Sequence, residues 1–314
     1  VTEIFRGRVR DLRLWKSIVA ACAELHEEAD FMVGADGITV TFFDPARICL
    51  MHVHLDPAFF TDFQPPNTPE TFRVGLDALQ KVTQRVKVGR NWREPMSDLE
   101  LVLTQLPRLQ SEAIARQQLT CQITTRPLDL RYDLALNLPK IDPDDIEIIP
   151  LEDLRFDYTL REGTIAPEVL TEIINAAWVV SDDLEFRINR EGITCRANGD
   201  LGEFRIHLSN LQIGLKDPDT SDEVVAKYAI QYLRKLFKIA KWAPEVKLIM
   251  GTHAPIQFQV PFEIAPEPEA DPVQVGIVRA FLAPKVDTVD EDEKKYYGPD
   301  YDPDYDRDDD WDEL

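Results

Sequence analysis

The chain has 314 residues, 44% apolar and 29% charged, enough apolar material for two domains at roughly 150 residues each. No run approaches the ~20 uninterrupted apolar residues of a membrane span, and Arg6, Arg8, Arg10 and Arg13 precede no apolar leader core, so neither a membrane anchor nor Sec-type secretion is expected. Cys22, Cys49, Cys121 and Cys195 lie too far apart for a CxxC metal or redox pair and read as buried thiols of a reducing compartment.

In chain order, Leu12, Trp15, Ile18, Val19, Cys22 and Leu25 recur at helical spacing and predict an amphipathic helix. Phe31-Met-Val and Ile38-Thr-Val-Thr-Phe flank an Asp36-Gly37 turn, a hairpin signal. A strand follows at Ile48 to Leu55, a second helix at Leu76 to Val86, and strands at Leu99 to Thr104, Leu119 to Thr124 and Leu130 to Leu136. Residues 137–154 carry three prolines and an acidic cluster and predict a linker, whose Ile141, Ile146, Ile148, Ile149 and Leu151 should lie down on a surface as a docking site.

The same order then recurs. Val169, Leu170, Ile173, Ile174 and Ala177 mark a helix, Glu185 to Ile188 and Ile193 to Arg196 a hairpin around Gly192, Glu203 to Leu208 a strand and Ile230 to Lys241 a helix. Strands at Val246 to Met250, Ile256 to Ile264 and Val273 to Leu282 close the half. A shift of 155 places Phe31 on Phe186, Gly37 on Gly192, Thr39 on Thr194 and His52 on His207, and a shift of 154 places Leu76 to Val82 on Ile230 to Leu236. Two copies of one domain, each with two helices on one face of antiparallel sheet, give an α+β architecture.

The net charge of −22 is uneven: residues 286–314 hold fourteen acids and three bases, half of the excess, in a composition that predicts a disordered tail. The helices differ. At ~100° per residue, Arg234, Lys238 and Lys241 share a sector opposite Leu233, Leu236 and Phe237, with Lys235 to one side. Lys81, Arg85 and Lys87 mark the second helix, and Arg13 and Lys16 the first, whereas the third shows Glu168, Glu172 and Asn175. Such positive faces on an acidic chain suit loose, sequence-independent contact with polyphosphate. No Walker, GxGxxG, HExxH or GxSxG motif occurs. His52, His54 and Asp56 alternate along one strand and form the best candidate metal set, hence a metal-dependent hydrolase as the alternative of another class; a solvated polar strand face has the same pattern. An acidic DNA mimic that inhibits DNA-binding proteins is a third reading.

Ala29-Asp-Phe31 with Asp36-Gly-Ile, Phe43-Asp-Pro45, Val180-Ser-Asp182, Ala197-Asn-Gly-Asp200, Lys227-Tyr-Ala-Ile-Gln-Tyr-Leu-Arg-Lys235 and Phe281-Leu-Ala-Pro-Lys285 resemble, in order, segments of the DNA polymerase sliding clamps, the proliferating cell nuclear antigen (PCNA) family of archaea and eukaryotes. The resemblance implies the DNA clamp fold, with sheets outside and helices on the inner face, in domains 1–137 and 157–285 joined by an interdomain loop, 138–156, and followed by the tail 286–314. It implies a non-enzymatic, cofactor-free trimeric ring around double-stranded DNA, in the archaeal cytoplasm or the eukaryotic nucleus. Expected partners are the replicative DNA polymerase, clamp loader, flap endonuclease and DNA ligase; a paralogue working in a heterotrimer is the close alternative. The DNA-facing bases are then Arg13, Lys16, Lys81, Arg85, Lys87, Arg234, Lys235, Lys238 and Lys241. A pocket for partner peptides falls on Asp44, Pro45, Ala46, Arg47, Ile146, Ile148, Ile149, Pro255, Phe281, Ala283 and Pro284. Subunits are expected to meet along Leu130, Tyr132 and Leu134 on one side and Phe204, Ile206 and Leu208 on the other.

Overall fold

The computed structural model describes residues 1–88, 96–107, 116–126, 128–139, 141, 146, 161–216, 223–265 and 271–285. The expected tail therefore lies outside the described residues, as does most of the interdomain loop.

The first half runs β1 (Thr2–Val9), α1 (Leu12–Leu25), β2 (Glu28–Gly34), β3 (Gly37–Phe43), β4 (Cys49–Leu55), β5 (Phe60–Gln64), β6 (Glu70–Gly75), α2 (Leu76–Gln84), β7 (Ser97–Gln105), β8 (Gln117–Thr125) and β9 (Leu130–Asn137). The second runs β10 (Arg161–Ile165), α3 (Pro167–Trp178), β11 (Asp183–Asn189), β12 (Gly192–Gly199), β13 (Gly202–Ser209), the single turn α4 (Asn210–Ile213), β14 (Val224–Ala229), α5 (Ile230–Ala240), β15 (Val246–Met250), β16 (Ile256–Ile264) and β17 (Val273–Leu282). Apart from β5 against α4, the two orders are the same.

Local chemistry explains the helices. Asp11 caps α1, accepting from the backbone N–H of Arg13 at 2.9 Å and Leu14 at 3.1 Å, and Pro167 opens α3 where a missing N–H costs nothing. Each helix then buries one stripe, Leu233, Leu236, Phe237 and Ala240 in α5 for example, in a core continuous across both halves. Val169, expected in the α3 stripe, is instead exposed in its first turn. The strand β1 was not expected, because Arg6 and Arg8 mask its alternation; Phe5, Gly7 and Val9 face inward, and Arg6 is held by Glu3 at 2.6 Å and Glu100 at 2.8 Å.

Among the described residues three antiparallel sheets result, ordered β5-β1-β7-β8-β9, β10-β15-β16-β17-β4-β3-β2-β6 and β13-β12-β11-β14. The eight-stranded sheet spans both halves: the last strand of the second, β17, pairs with β4 of the first, Val278 opposite Val53 and Ala280 opposite Met51. The equivalents of these two strands, β9 and β13, lie at sheet edges.

Backbone geometry corrects one detail of the repeat. Gly37 and Gly192 have φ of +126° and +144°, and a Cβ on either would sit 2.0 Å from the Leu55 carbonyl or 1.9 Å from that of Leu208. Leu55 thus corresponds to Leu208, and His207 corresponds to His54 rather than to His52. The connection from β3 to β4 is two residues longer than that from β12 to β13, which shifts the register beyond it.

Candidate functional site: a basic helix face, two free strand edges and a loop pocket

The helices form one row. α1 packs on α2 and on α5, and α5 on α3, giving the order α2-α1-α5-α3. With α5 as floor and α1 and α3 as walls, the row encloses an open trough of about 680 Å³ carrying Lys16, Arg234, Lys235, Lys238 and Lys241, with Glu24 its one acid. Two tryptophans flank it: Arg234 lies 4.9 Å from the Trp178 ring centre, and Lys241 and Arg13 lie 5.1 and 5.3 Å from that of Trp242. Trp242 Nε1 donates to Ser17 Oγ at 2.6 Å, tying the end of α5 to α1. Lys16 donates to the Val86 carbonyl at 3.1 Å, and burial lowers its pKa.

Not every predicted base is free to meet a ligand. Lys238 pairs with Glu24 at 2.5 Å, Lys81 with Asp77 at 2.5 Å and Arg13 with Asp11 at 3.3 Å. Arg85 and Lys87 are exposed at the far end of the row. The structure thus brings Lys16 together with the α5 bases, and leaves Lys81, Arg85 and Lys87 as a separate group on α2 and the turn after it. As the sequence suggested, α3 adds Glu168 and Glu172 and no base.

On the sheets, Leu130 is 55% exposed, Tyr132, Leu134, Phe204 and Ile206 are half-buried at their edges, and Leu208 is buried. β9 corresponds to β17 and β13 to β4, the two strands paired within the chain. In that correspondence Leu130, Tyr132 and Leu134 take the places of Gly276, Val278 and Ala280, and Leu208, Ile206 and Phe204 those of Leu55, Val53 and Met51.

Of the pocket residues, Asp44, Pro45, Ala46 and Arg47 lie in the loop from β3 to β4. Asp44 is only 4% exposed, and its carboxylate accepts from the backbone N–H of Cys49 at 2.6 Å, Ile48 at 2.7 Å and Ala46 at 3.3 Å and from Tyr232 Oη at 2.8 Å. It shapes the loop instead of presenting a charge to a ligand. Burial, then the bond to Asp44, pushes the Tyr232 hydroxyl up to about 12. Pro45, Ala46 and Arg47 are exposed, and the end of β17 lies alongside, Ala283 N–H donating to the Ile48 carbonyl at 2.9 Å. Phe281 is buried, Ala283, Pro284 and Pro255 are half-buried, and Ile148 and Ile149 lie outside the described residues.

The model of the family described as "Proliferating cell nuclear antigen, C-terminal domain" matches residues 151–268. The DNA polymerase sliding clamp of Thermococcus gammatolerans is 28% identical over 240 residues, 76% of this chain and 86% of that protein, and that of Pyrococcus horikoshii 28% over 247 residues, 77% and 86%. The crystal structure of proliferating cellular nuclear antigen from Entamoeba histolytica matches with a TM-score of 0.69 at 18% identity, over 91% of this chain and 100% of that one. Together these likenesses support a PCNA-type sliding clamp.

In this clamp the histidine strand has a structural explanation. His52 and His54 Nδ1 hydrogen bond to Thr41 at 2.8 Å and Thr39 at 2.9 Å, and His207 repeats the pair with Thr194 at 3.0 Å. Among the described residues no group of three or more His, Cys, Asp or Glu side chains is placed to hold a metal. Burial, then Arg279 and His54, lowers the His52 pKa to about 4, disfavouring the charged imidazole. All four cysteines are free and buried, with thiols pushed up to about 12 by burial. Sequence reasoning missed Tyr232 as the partner of Asp44 and Glu24 as the acid in the trough; both pairs join residues about two hundred positions apart, and no local pattern marks them.

Proposed function

We propose that this chain is a DNA polymerase sliding clamp, a non-catalytic processivity factor that closes into a ring of three around duplex DNA and tethers the replicative polymerase. The observation that carries the reading is the pair of free edges, β9 and β13, which repeat the two strands already joined inside the chain at β17 and β4. Repeating one joint between copies is a heterologous contact, which closes into a ring when the rotation per step divides the circle. Three two-domain copies, the family's number, make six equivalent steps, and the row of helices then lines the hole. The exposed arginines and lysines meet phosphates through exchangeable contacts, so linkage around the duplex, not affinity, retains the clamp.

The domain bounds 1–137, 138–156 and 157–285 follow from the same reading, as do an intracellular location and a partner pocket over the Asp44 to Ile48 loop and the end of β17. Clamp loader, flap endonuclease and DNA ligase are the further partners that this pocket would serve. Light scattering over a concentration series tests the ring: a stable species of three times 36.0 kDa is expected, retained on nicked circular DNA and lost once that DNA is cut to a linear form. A monomer at every concentration overturns the homotrimer.

A further inference from the structure

We propose that the acidic segment 286–314 docks in the basic trough over α5, where it occupies the positions that DNA phosphates take; this rests on reading the helix row as the DNA-facing surface. The trough is unbalanced. Among the described residues, Lys16, Arg234, Lys235 and Lys241 have no carboxylate partner, and Glu24 answers only Lys238. The segment is unbalanced in the opposite sense, with fourteen acids against three bases.

The two rows of charge are also of comparable pitch. Arg234, Lys238 and Lys241 rise along α5 in steps of roughly 6 and 4.5 Å at 1.5 Å per residue. Asp300, Asp302, Asp304, Asp306 and Asp308 occupy every second position, so an extended chain sets their carboxylates on one side about 7 Å apart. A row of single negative charges at that interval imitates one phosphodiester strand. Tyr301 and Tyr305 stand at the alternate positions, which leaves the charged side free of rings.

The root of the segment is fixed within reach. Lys285 donates its N–H to the Lys227 carbonyl at 2.7 Å and its Nζ pairs with Asp183 at 2.5 Å, which holds it beside β14, the strand that runs directly into α5. From Lys227 to Arg234 is three strand residues and one helical turn, at most about 16 Å. A chain of 29 residues with random-coil dimensions has an r.m.s. span of about 30 Å, so the segment meets the trough at an effective concentration near the millimolar range. At that concentration even a contact with a Kd of about 0.1 mM is occupied some nine-tenths of the time, enough to weaken DNA association about tenfold.

Zero-length carbodiimide crosslinking of the full chain at 50 mM and 500 mM salt, read by peptide mass spectrometry, tests the docking without DNA. The expected result is coupling of carboxylates in 300–310 to Lys16, Lys235, Lys238 and Lys241 at low salt and its loss at high salt. Coupling confined to Lys227 and Lys285 at the root, or spread over lysines outside the trough, overturns the proposal. A variant with D300N, D302N, D304N, D306N and D308N should lose the coupling and bind a short duplex about tenfold more tightly at 50 mM salt. If crosslinks fall in the trough but K235Q/K238Q/K241Q leaves duplex binding unchanged, the docking stands and the DNA-facing assignment fails. If that triple variant weakens DNA binding while no tail crosslink reaches the trough, the assignment stands and the docking fails.

Discussion

Replacing Asp44 by alanine removes a carboxylate that serves four donors at once. Cys49 is buried, so its N–H loses a partner water cannot replace, at about 2 kcal/mol; Ile48 is 38% exposed and its N–H is rehydrated at a cost of about 0.5–1 kcal/mol. The Tyr232 hydroxyl adds about 1 kcal/mol, for a total of about 3–4 kcal/mol. Asp44→Asn keeps an acceptor for the two close N–H groups and should cost about 1–2 kcal/mol, and Tyr232→Phe about 1 kcal/mol. Because Asp44 and Tyr232 share one bond, the double variant Asp44→Ala/Tyr232→Phe should fall short of additivity by about 1 kcal/mol. Urea unfolding followed by far-UV circular dichroism, at one protein concentration and with unchanged m, measures all of these. A cost below about 1 kcal/mol for Asp44→Ala would refute the view that this side chain pins the loop and ties it to α5.

Three other perturbations follow from the same geometry. His52, at about 4 when folded and near 6.5 when unfolded, binds more protons in the unfolded chain between those values, so its stabilising contribution is complete above about pH 6.5 and is lost as pH falls towards 4; after discounting for partial exposure, about 1–2 kcal/mol should separate the wild type from His52→Gln across that window in pH-dependent unfolding. Leu130→Asp puts a charge on a side chain that is 55% exposed in the single chain and that the proposed ring sets opposite Leu208 of another copy, so circular dichroism should be unchanged while light scattering should fall from the trimer to 36.0 kDa. Gly192→Ala places a Cβ 1.9 Å from the Leu208 carbonyl at φ +144° and should cost about 3 kcal/mol or more, read as a drop in Tm.

How far the fold was legible depended on whether its signal was local. The α5 stripe of Leu233, Leu236 and Phe237 and the Gly37 and Gly192 turns repeat on short periods, and the structure follows them. The strands β1, β5, β6, β10 and β14 escaped notice: β1 hides its alternation behind arginines, and the others are five or six residues long and lack the dense apolar run that marks the equally short β15. Of the site, the α5 bases were visible on a helical wheel, but which of them are already neutralised was not. Lys238 with Glu24 and Asp44 with Tyr232 are decided by packing between the halves, and a sequence presents such partners only as unrelated letters.

A net charge of −22 opposes binding a polyanion, yet screening limits what the sum can do. At 0.15 M salt the Debye length is about 8 Å, so a phosphate near α5 experiences the trough far more than the acids on the outer sheets. What it meets there is a moderated surface. Glu24 takes up part of the Lys238 charge, while on the helices alongside Asp77 takes up part of Lys81 and Asp11 part of Arg13. Each such pair reduces the number of counterions a bound duplex releases, and with it the affinity and the salt dependence of a static complex. For a protein that held DNA by affinity this would be a defect. For a ring held by its own closure, weak contacts let the duplex slide, and in the proposed assembly the strength resides in the strand edges at Leu130, Tyr132 and Leu134 instead.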